Sequence, residues 1–168
     1  MESRAKAMGH GIHPILIVFP LGLLATSVIF DILYLITDRT GFQISAAYTM
    51  GAGIIGGLAA AVFGLIDWSA IPGGTRAKRV GATHGLGNVV VLLLFAVSWL
   101  LRRAADNWHP NALAVILSFA GIILAGGTAW LGGELVERLG LSVSDEANVN
   151  APSSLARRAA SRPRTGRA

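Results

Sequence analysis

Four stretches of this chain are apolar for long enough to cross a lipid bilayer, and charges rarely interrupt them. Residues 14–36 contain one charge, Asp31, and residues 44–66 contain none. At about 1.5 Å per residue, each of these 23-residue runs reaches roughly 34 Å, the depth of the hydrocarbon core. Two more runs, 81–101 and 111–131, follow after short polar breaks. A bilayer offers no water to bare backbone N–H and C=O groups, so runs of this kind fold as helices. Charged residues are 14% of the chain and hydrophobic ones 53%, whereas a soluble domain is nearer a quarter charged. The expected fold is an all-α membrane protein, an antiparallel four-transmembrane-helix bundle with spans near 14–36, 44–67, 81–101 and 111–132. A cleaved signal peptide is the rival reading of the first run, with Ala25-Thr26-Ser27 as its cleavage site. The apolar character continues well past that site, which favours an uncleaved span. Pro14 suits a first helical turn, whereas Pro20 lies inside the helix and should bend it.

Residues 1–141 form the expected transmembrane domain, and 142–168 read as a disordered basic tail of Ser, Ala, Pro and Arg. Five of the fourteen basic residues fall between Arg157 and Arg167. The net charge of +5 is therefore concentrated in the tail, where it suits anionic lipid headgroups. No aromatic residues are interleaved there for base stacking, so nucleic acid is not an expected partner. With four spans both termini share a side, and that side collects Arg4, Lys6, Arg76, Lys78, Arg79, Arg138 and the tail arginines. The opposite loops hold Arg39, Arg102 and Arg103. By the positive-inside rule this asymmetry is expected to put both termini in the cytoplasm.

The absence of cysteine excludes disulfides, thiolate metal sites, iron–sulfur clusters and covalently attached haem. Phosphate-binding loops, GxSxG and HExxH are also missing, and no enzyme activity is assigned. What chemistry there is centres on residues 61–88, AVFGLIDWSAIPGGTRAKRVGATHGLGN. Gly53, Gly57, Ala60, Gly64 and Asp67 recur at helical spacing, a small-residue stripe that admits another helix or a flat cofactor and leads to Asp67. His84 and Asn88 stand one turn apart at the start of the third span. Asn111, Ala114, Ser118, Gly121, Ala125, Thr128 and Gly132 keep heptad spacing, a packing seam on the fourth. The glycines of WLGGELVERLG mark its exit from the membrane. Alternation of the helices brings His10, His13, Asp67, Trp68, His84, Asn88 and Glu134 to one end of the bundle. His109 sits at the other, beside Asp106 and Asn111, and Asp31 lies on the His13 face five turns along. Ionisable groups within spans are expensive and usually functional.

The motifs HPILIVFPLGL, GLIDW, THGLGN and WLGGELVERLG, in that order and spacing, resemble the four-span bacterial membrane proteins grouped as domain of unknown function 2231. The resemblance covers roughly residues 10–143 and maps His13, Pro14, Asp67, His84, Gly132 and Gly133 onto the family's recurrent positions. It implies a four-helix inner-membrane fold and, by the family's own name, no established activity. Glu137 and Leu139 stand where a Tyr and a His are common in the family. The family is also distantly similar in fold to small b-type cytochromes.

Three functional classes fit the residues. In the first, one b-type haem or a metal ion serves electron transfer, with His13, His84, Asp67 and Asn88 as haem-binding residues or His13, His84 and Glu134 as metal ligands. In the second, Asp67, His84 and Glu134 form a proton or cation path through a small transporter or transporter subunit. The third is a structural or assembly protein without a cofactor, whose polar groups pin the helix ends. Expected partners are the bilayer, anionic headgroups, and either a second copy or a membrane redox protein. The topology is directly testable: reporter fusions at Arg39 and Asp106 should report the outside and one after Ser142 the inside. A cytoplasmic signal from the Asp106 fusion would overturn the span count.

Overall fold

The computed structural model describes residues 1–156; Arg157 to Arg167, the basic half of the expected tail, lie outside the described residues. Four helices long and apolar enough to cross a membrane run over Ile12–Thr37, Thr40–Ser69, Arg76–Arg103 and Ala112–Arg138. The first is divided into α1 (Ile12–Leu16) and α2 (Val18–Thr37). The division falls at Ile17, just past Leu16, whose carbonyl finds no N–H on Pro20; Ile17 itself keeps helical φ/ψ of −64° and −23°, so the two pieces make one span. Next come α3 (Thr40–Ser69) and α4 (Arg76–Arg103), the latter opened by Thr75, whose hydroxyl accepts from Lys78 N at 3.1 Å. That cap starts α4 five residues before the apolar run does. The last, α5 (Ala112–Gly133), is capped by Asn111 accepting from Ala114 N. The paired glycines of α5 do not end it: Gly132 and Gly133 are helical, and the chain continues as a π-helical turn over Glu134–Arg138. Ahead of α1, β1 (Lys6–Ala7) pairs antiparallel with β2 (His10–Gly11) in a small hairpin. The 142–156 stretch bonds back to the N-terminal segment, through Ser142 N to Met1 O and Ser154 Oγ to Met8 O.

The helices pack as two hairpins, α2 on α3 and α4 on α5, joined through α3–α4 and α2–α5 contacts. A core of Leu24, Val28, Met50, Val91, Phe95 and Ala125 fills the middle. The α5 seam is buried as its spacing predicts, at Ala114, Ser118, Gly121, Ala125 and Thr128. At Gly121 a side chain would collide with the Phe95 ring, its Cβ only 2.8 Å from Cε2. Polarity is distributed inside out. Val18, Ile36, Ile55 and Ile123 are at least 70% exposed, while Ser27, Asp31, Ser98, Arg102 and Ser118 are wholly buried. Such a surface is stable against lipid and not against water.

Arg102 departs from its expected place in a loop. Its guanidinium turns into the bundle and grips Asp31 with two parallel bonds, Nη1 to Oδ1 at 2.6 Å and Nη2 to Oδ2 at 2.8 Å. Ser118 Oγ donates to Asp31 Oδ2 at 2.8 Å, and Ser98 Oγ accepts from Arg102 Nε at 3.3 Å while donating to Ala114 O. The planar fork of arginine matches both carboxylate oxygens, which a lysine could not do. Asp31, Arg102 and Ser118 thus tie α2, α4 and α5 together near the end opposite the termini. Aromatic residues cluster at the same end, with Trp108 between Trp99 and Tyr48 at ring distances of 5.4 and 6.0 Å. Gln43 donates to Asn107 O at 2.9 Å, bracing a turn in which Asn107 and Trp108 are both left-handed. Removing one partner of the buried pair, by Asp31→Ala or Arg102→Ala, should cost about 3–5 kcal/mol of stability in detergent unfolding. The double substitution Asp31→Leu/Arg102→Leu should cost far less than the two alanine variants added together, because it leaves no orphan charge.

Candidate functional site

At the end of the bundle near the termini, α1 and α4 each present one histidine to the interior. His13 lies in α1, in the first turn of the span, and its ring lies over α3. A Cβ on Gly64 would come within 3.0 Å of His13 Cε1, so the glycine admits the imidazole. His13 Nδ1 then reaches the Ala60 carbonyl at 2.9 Å. His84 repeats the arrangement against α5: a Cβ on Gly132 would lie 3.2 Å from its Cε1, and its Nδ1 is 2.8 Å from the Thr128 carbonyl. Carbonyl oxygens only accept, so in both rings Nδ1 is the donor, and the neutral form of each ring keeps its lone pair on Nε2.

The two ring centroids are 6.5 Å apart and their planes perpendicular, at 90°. Asn88 stands one turn along α4, its Nδ2 donating to His84 O at 2.9 Å and lying 3.2 Å from His84 Nε2. Thr128 Oγ1 fixes that amide by donating to Asn88 Oδ1 at 3.0 Å. Thr128 therefore serves both residues, one through its carbonyl and the other through its hydroxyl. His13 Nε2 has no hydrogen-bond partner among the described residues.

Of the residues expected to converge, His13, His84 and Asn88 form this cluster. The other two carboxylate-bearing candidates have partners of their own. Asp67 accepts from Ser3 Oγ at 2.8 and 2.7 Å, from Arg4 N at 2.8 Å and from Ala5 N at 3.2 Å. Glu134, at the start of the π-helical turn, takes Arg76 Nη2 at 2.6 Å. Among the described residues no group of three or more His, Cys, Asp or Glu side chains could hold a metal ion. Trp68 pins the α3–α4 turn, donating to Lys78 O at 3.1 Å while Lys78 Nζ sits 3.8 Å over its ring. His10 is exposed in the hairpin. His109, at the far end, is 3.0 Å from the Tyr34 hydroxyl. The small-residue stripe on α3 is filled by side chains: Leu24 at Gly53, Leu92 at Gly57 and His13 at Gly64.

Sequence reasoning missed Ala60 and the Thr128 carbonyl, because a main-chain acceptor can come from any residue type. It missed Arg102 because Arg102-Arg103 at a helix end reads as an ordinary interfacial pair. Thr128 was visible in the α5 seam, but only as a packing position.

The sequence profile described as Predicted membrane protein (DUF2231) matches residues 9–145. The chain belongs to the DUF2231 family. No curated protein and no solved structure matches it. In this DUF2231 protein the segments that carried the resemblance all meet at the histidine pair or beside it. HP supplies His13, GLIDW supplies Gly64, Asp67 and Trp68, THGLGN supplies His84 and Asn88, and WLGGE supplies Gly132 and Glu134. The pair makes a spectroscopic prediction: ¹⁵N spectra of protein in bilayers should show His13 and His84 both as the Nδ1–H tautomer. An unprotonated Nδ1 in either ring would be incompatible with the carbonyl bonds.

Proposed function

We propose that this protein holds one b-type haem between His13 and His84 and serves electron transfer in the bacterial inner membrane, at the cytoplasmic end of the bundle. The observation that carries the reading is the disposition of the two imidazoles. Two metal–nitrogen bonds of about 2 Å each, with the ring radii added, span roughly 6–7 Å between centroids; these rings are 6.5 Å apart. Each Nδ1–H is already committed to a main-chain carbonyl, which leaves Nε2 as the ligating atom and makes it a better donor. The donor set suits haem iron better than a bare ion. Two imidazoles would suffice to hold an iron whose macrocycle brings four nitrogens itself, whereas a bare ion would need further protein ligands. Glu134, the third residue of the alternative metal set, is engaged by Arg76.

When bound, the group supplies reversible one-electron chemistry. The chain's own contribution is to hold the ligands. Ala60 and Thr128 fix the ring planes, and Gly64 and Gly132 give the rings room. Asn88 Nδ2 lies 3.2 Å from His84 Nε2 and would have to release that nitrogen for it to ligate, its other bonds being to His84 O and Thr128 Oγ1. His109 is engaged with Tyr34 at the other end, so the count of histidines supports one bis-histidine haem and no second. A membrane redox protein, or a second copy, is the partner this reading calls for.

The test is the visible spectrum of detergent-purified protein, oxidised and reduced, with haemin added where none co-purifies. His13→Ala and His84→Ala should each abolish the low-spin spectrum, and His109→Ala should leave it intact. Haem retained unchanged in both of the first two variants would sink the assignment. So would wild-type protein that takes up no haemin.

A further inference from the structure

The N-terminal segment is joined to the histidine site by a continuous series of contacts that begins at Asp67. This carboxylate, at the end of α3, accepts the Ser3 hydroxyl and the consecutive main-chain N–H groups of Arg4 and Ala5. Ser3 is 8% exposed although the segment around it is largely open. Gly11 packs directly on it, since a Cβ there would come within 3.1 Å of Ser3 Cβ. The hairpin that leaves Ala5 returns to it: Ile12 N donates to Ala5 O at 2.8 Å, with Lys6 opposite Gly11 and Ala7 opposite His10. His13 is the next residue. The same helix thus grips both ends of a short loop, Asp67 holding the strap and Ala60 the imidazole, with Gly64 between them under the ring. A second hold comes from the exit of α5, where Met1 N donates to Gly140 O and Ser142 N to Met1 O.

We propose that Asp67 is the positioning residue for His13: it docks the N-terminal strap on α3, and the docked strap sets the ring that ligates the metal. α1 has five residues and joins α2 through Ile17, with His13 O accepting from Ile17 N at 3.1 Å, so His13 stands in the first turn of the span, where helix ends are held least firmly. The strap on one side and the Ala60 carbonyl on the other add the hold that a first turn lacks. A carboxylate suits the task, because charge-assisted bonds to two backbone N–H groups and a hydroxyl are stronger than neutral ones. Asparagine at this position keeps an acceptor oxygen but not the charge, and alanine keeps neither.

The haem part of this inference rests on the reading above; the strap part does not, and the experiment separates them. Full-length wild type, Asp67→Asn, Asp67→Ala and Ser3→Ala are compared in bilayers, first without haem. Amide hydrogen exchange at Arg4 and Ala5 should quicken by about tenfold or more in Asp67→Ala and by less in Asp67→Asn. The His13 ¹⁵N signals should move in the same order while those of His84 stay in place. Haemin-loaded samples should then lose low-spin, six-coordinate character in Asp67→Ala, with Asp67→Asn partly restoring it. Ser3→Ala, which leaves α3 untouched, should reproduce the strap effects on a smaller scale and guards against misfolding at position 67. Unchanged exchange, or faster exchange with an unmoved His13 signal, would overturn the proposal. A wild type that shows these shifts but takes up no haemin would overturn only the haem reading.

Discussion

A charged side chain in lipid has no solvent to fall back on, and the Asp31–Arg102 pair follows from that constraint. Both groups are wholly buried, so each must find its full complement of partners among the helices. Asp31 receives two guanidinium bonds and a serine hydroxyl; Arg102 spends its remaining Nε on a second serine. Among the described residues no buried side-chain nitrogen or oxygen is left without a partner. Because the bonds are directional, α2, α4 and α5 cannot slide or rotate past one another without exposing a charge. Apolar packing between helices is poorly directional, and in a bilayer it is not reinforced by the exclusion of water. The polar network therefore fixes helix register, and the apolar core then fills the space it defines.

The two ends of the bundle use the same materials for different ends. Far from the termini, the buried polar side chains among the described residues satisfy one another. At the histidine end the rings are held through one nitrogen only, by main-chain oxygens that hydrogen-bond without adding charge. His13 Nε2 is left over, and Asn88 covers the corresponding atom of His84 weakly, at 3.2 Å. A structural cluster would be expected to satisfy the two imidazoles against each other or against the nearby carboxylates. Here Asp67 and Glu134 are both engaged elsewhere. The contrast between a closed network and an open pair is what the proposed haem site rests on.

Glycine and proline make the open pair possible. Pro20 leaves the Leu16 carbonyl without its helical donor one turn past His13, and Gly64 and Gly132 remove the Cβ atoms that would block the rings. These positions are costly in a helix, and small-residue packing alone would have accepted alanine at several of them. Their clustering around two imidazoles makes the glycines part of the site. Elsewhere on the same helices they do ordinary packing, Gly53 against Leu24 and Gly57 against Leu92.

Sequence alone determined the membrane, the four spans, the buried seam of α5 and the end of the bundle where His13, His84 and Asn88 gather. Each follows from composition or periodicity, which are local and survive any detail of packing. It also located the interruption between α1 and α2, because a missing proline N–H acts on the carbonyl four residues back wherever the helix sits. Tertiary structure decided the pairings. Nothing in the sequence distinguishes Arg102 from Arg103, yet one lies buried on Asp31 and the other is exposed; the rotation of α4 against α2 makes the difference. Nor could the residue types show that Asp67 turns to Ser3 and the strap while His84 turns to Thr128. Carboxylates and imidazoles accept many partners, backbone acceptors carry no residue signature, and the choice among them is made only when the helices close.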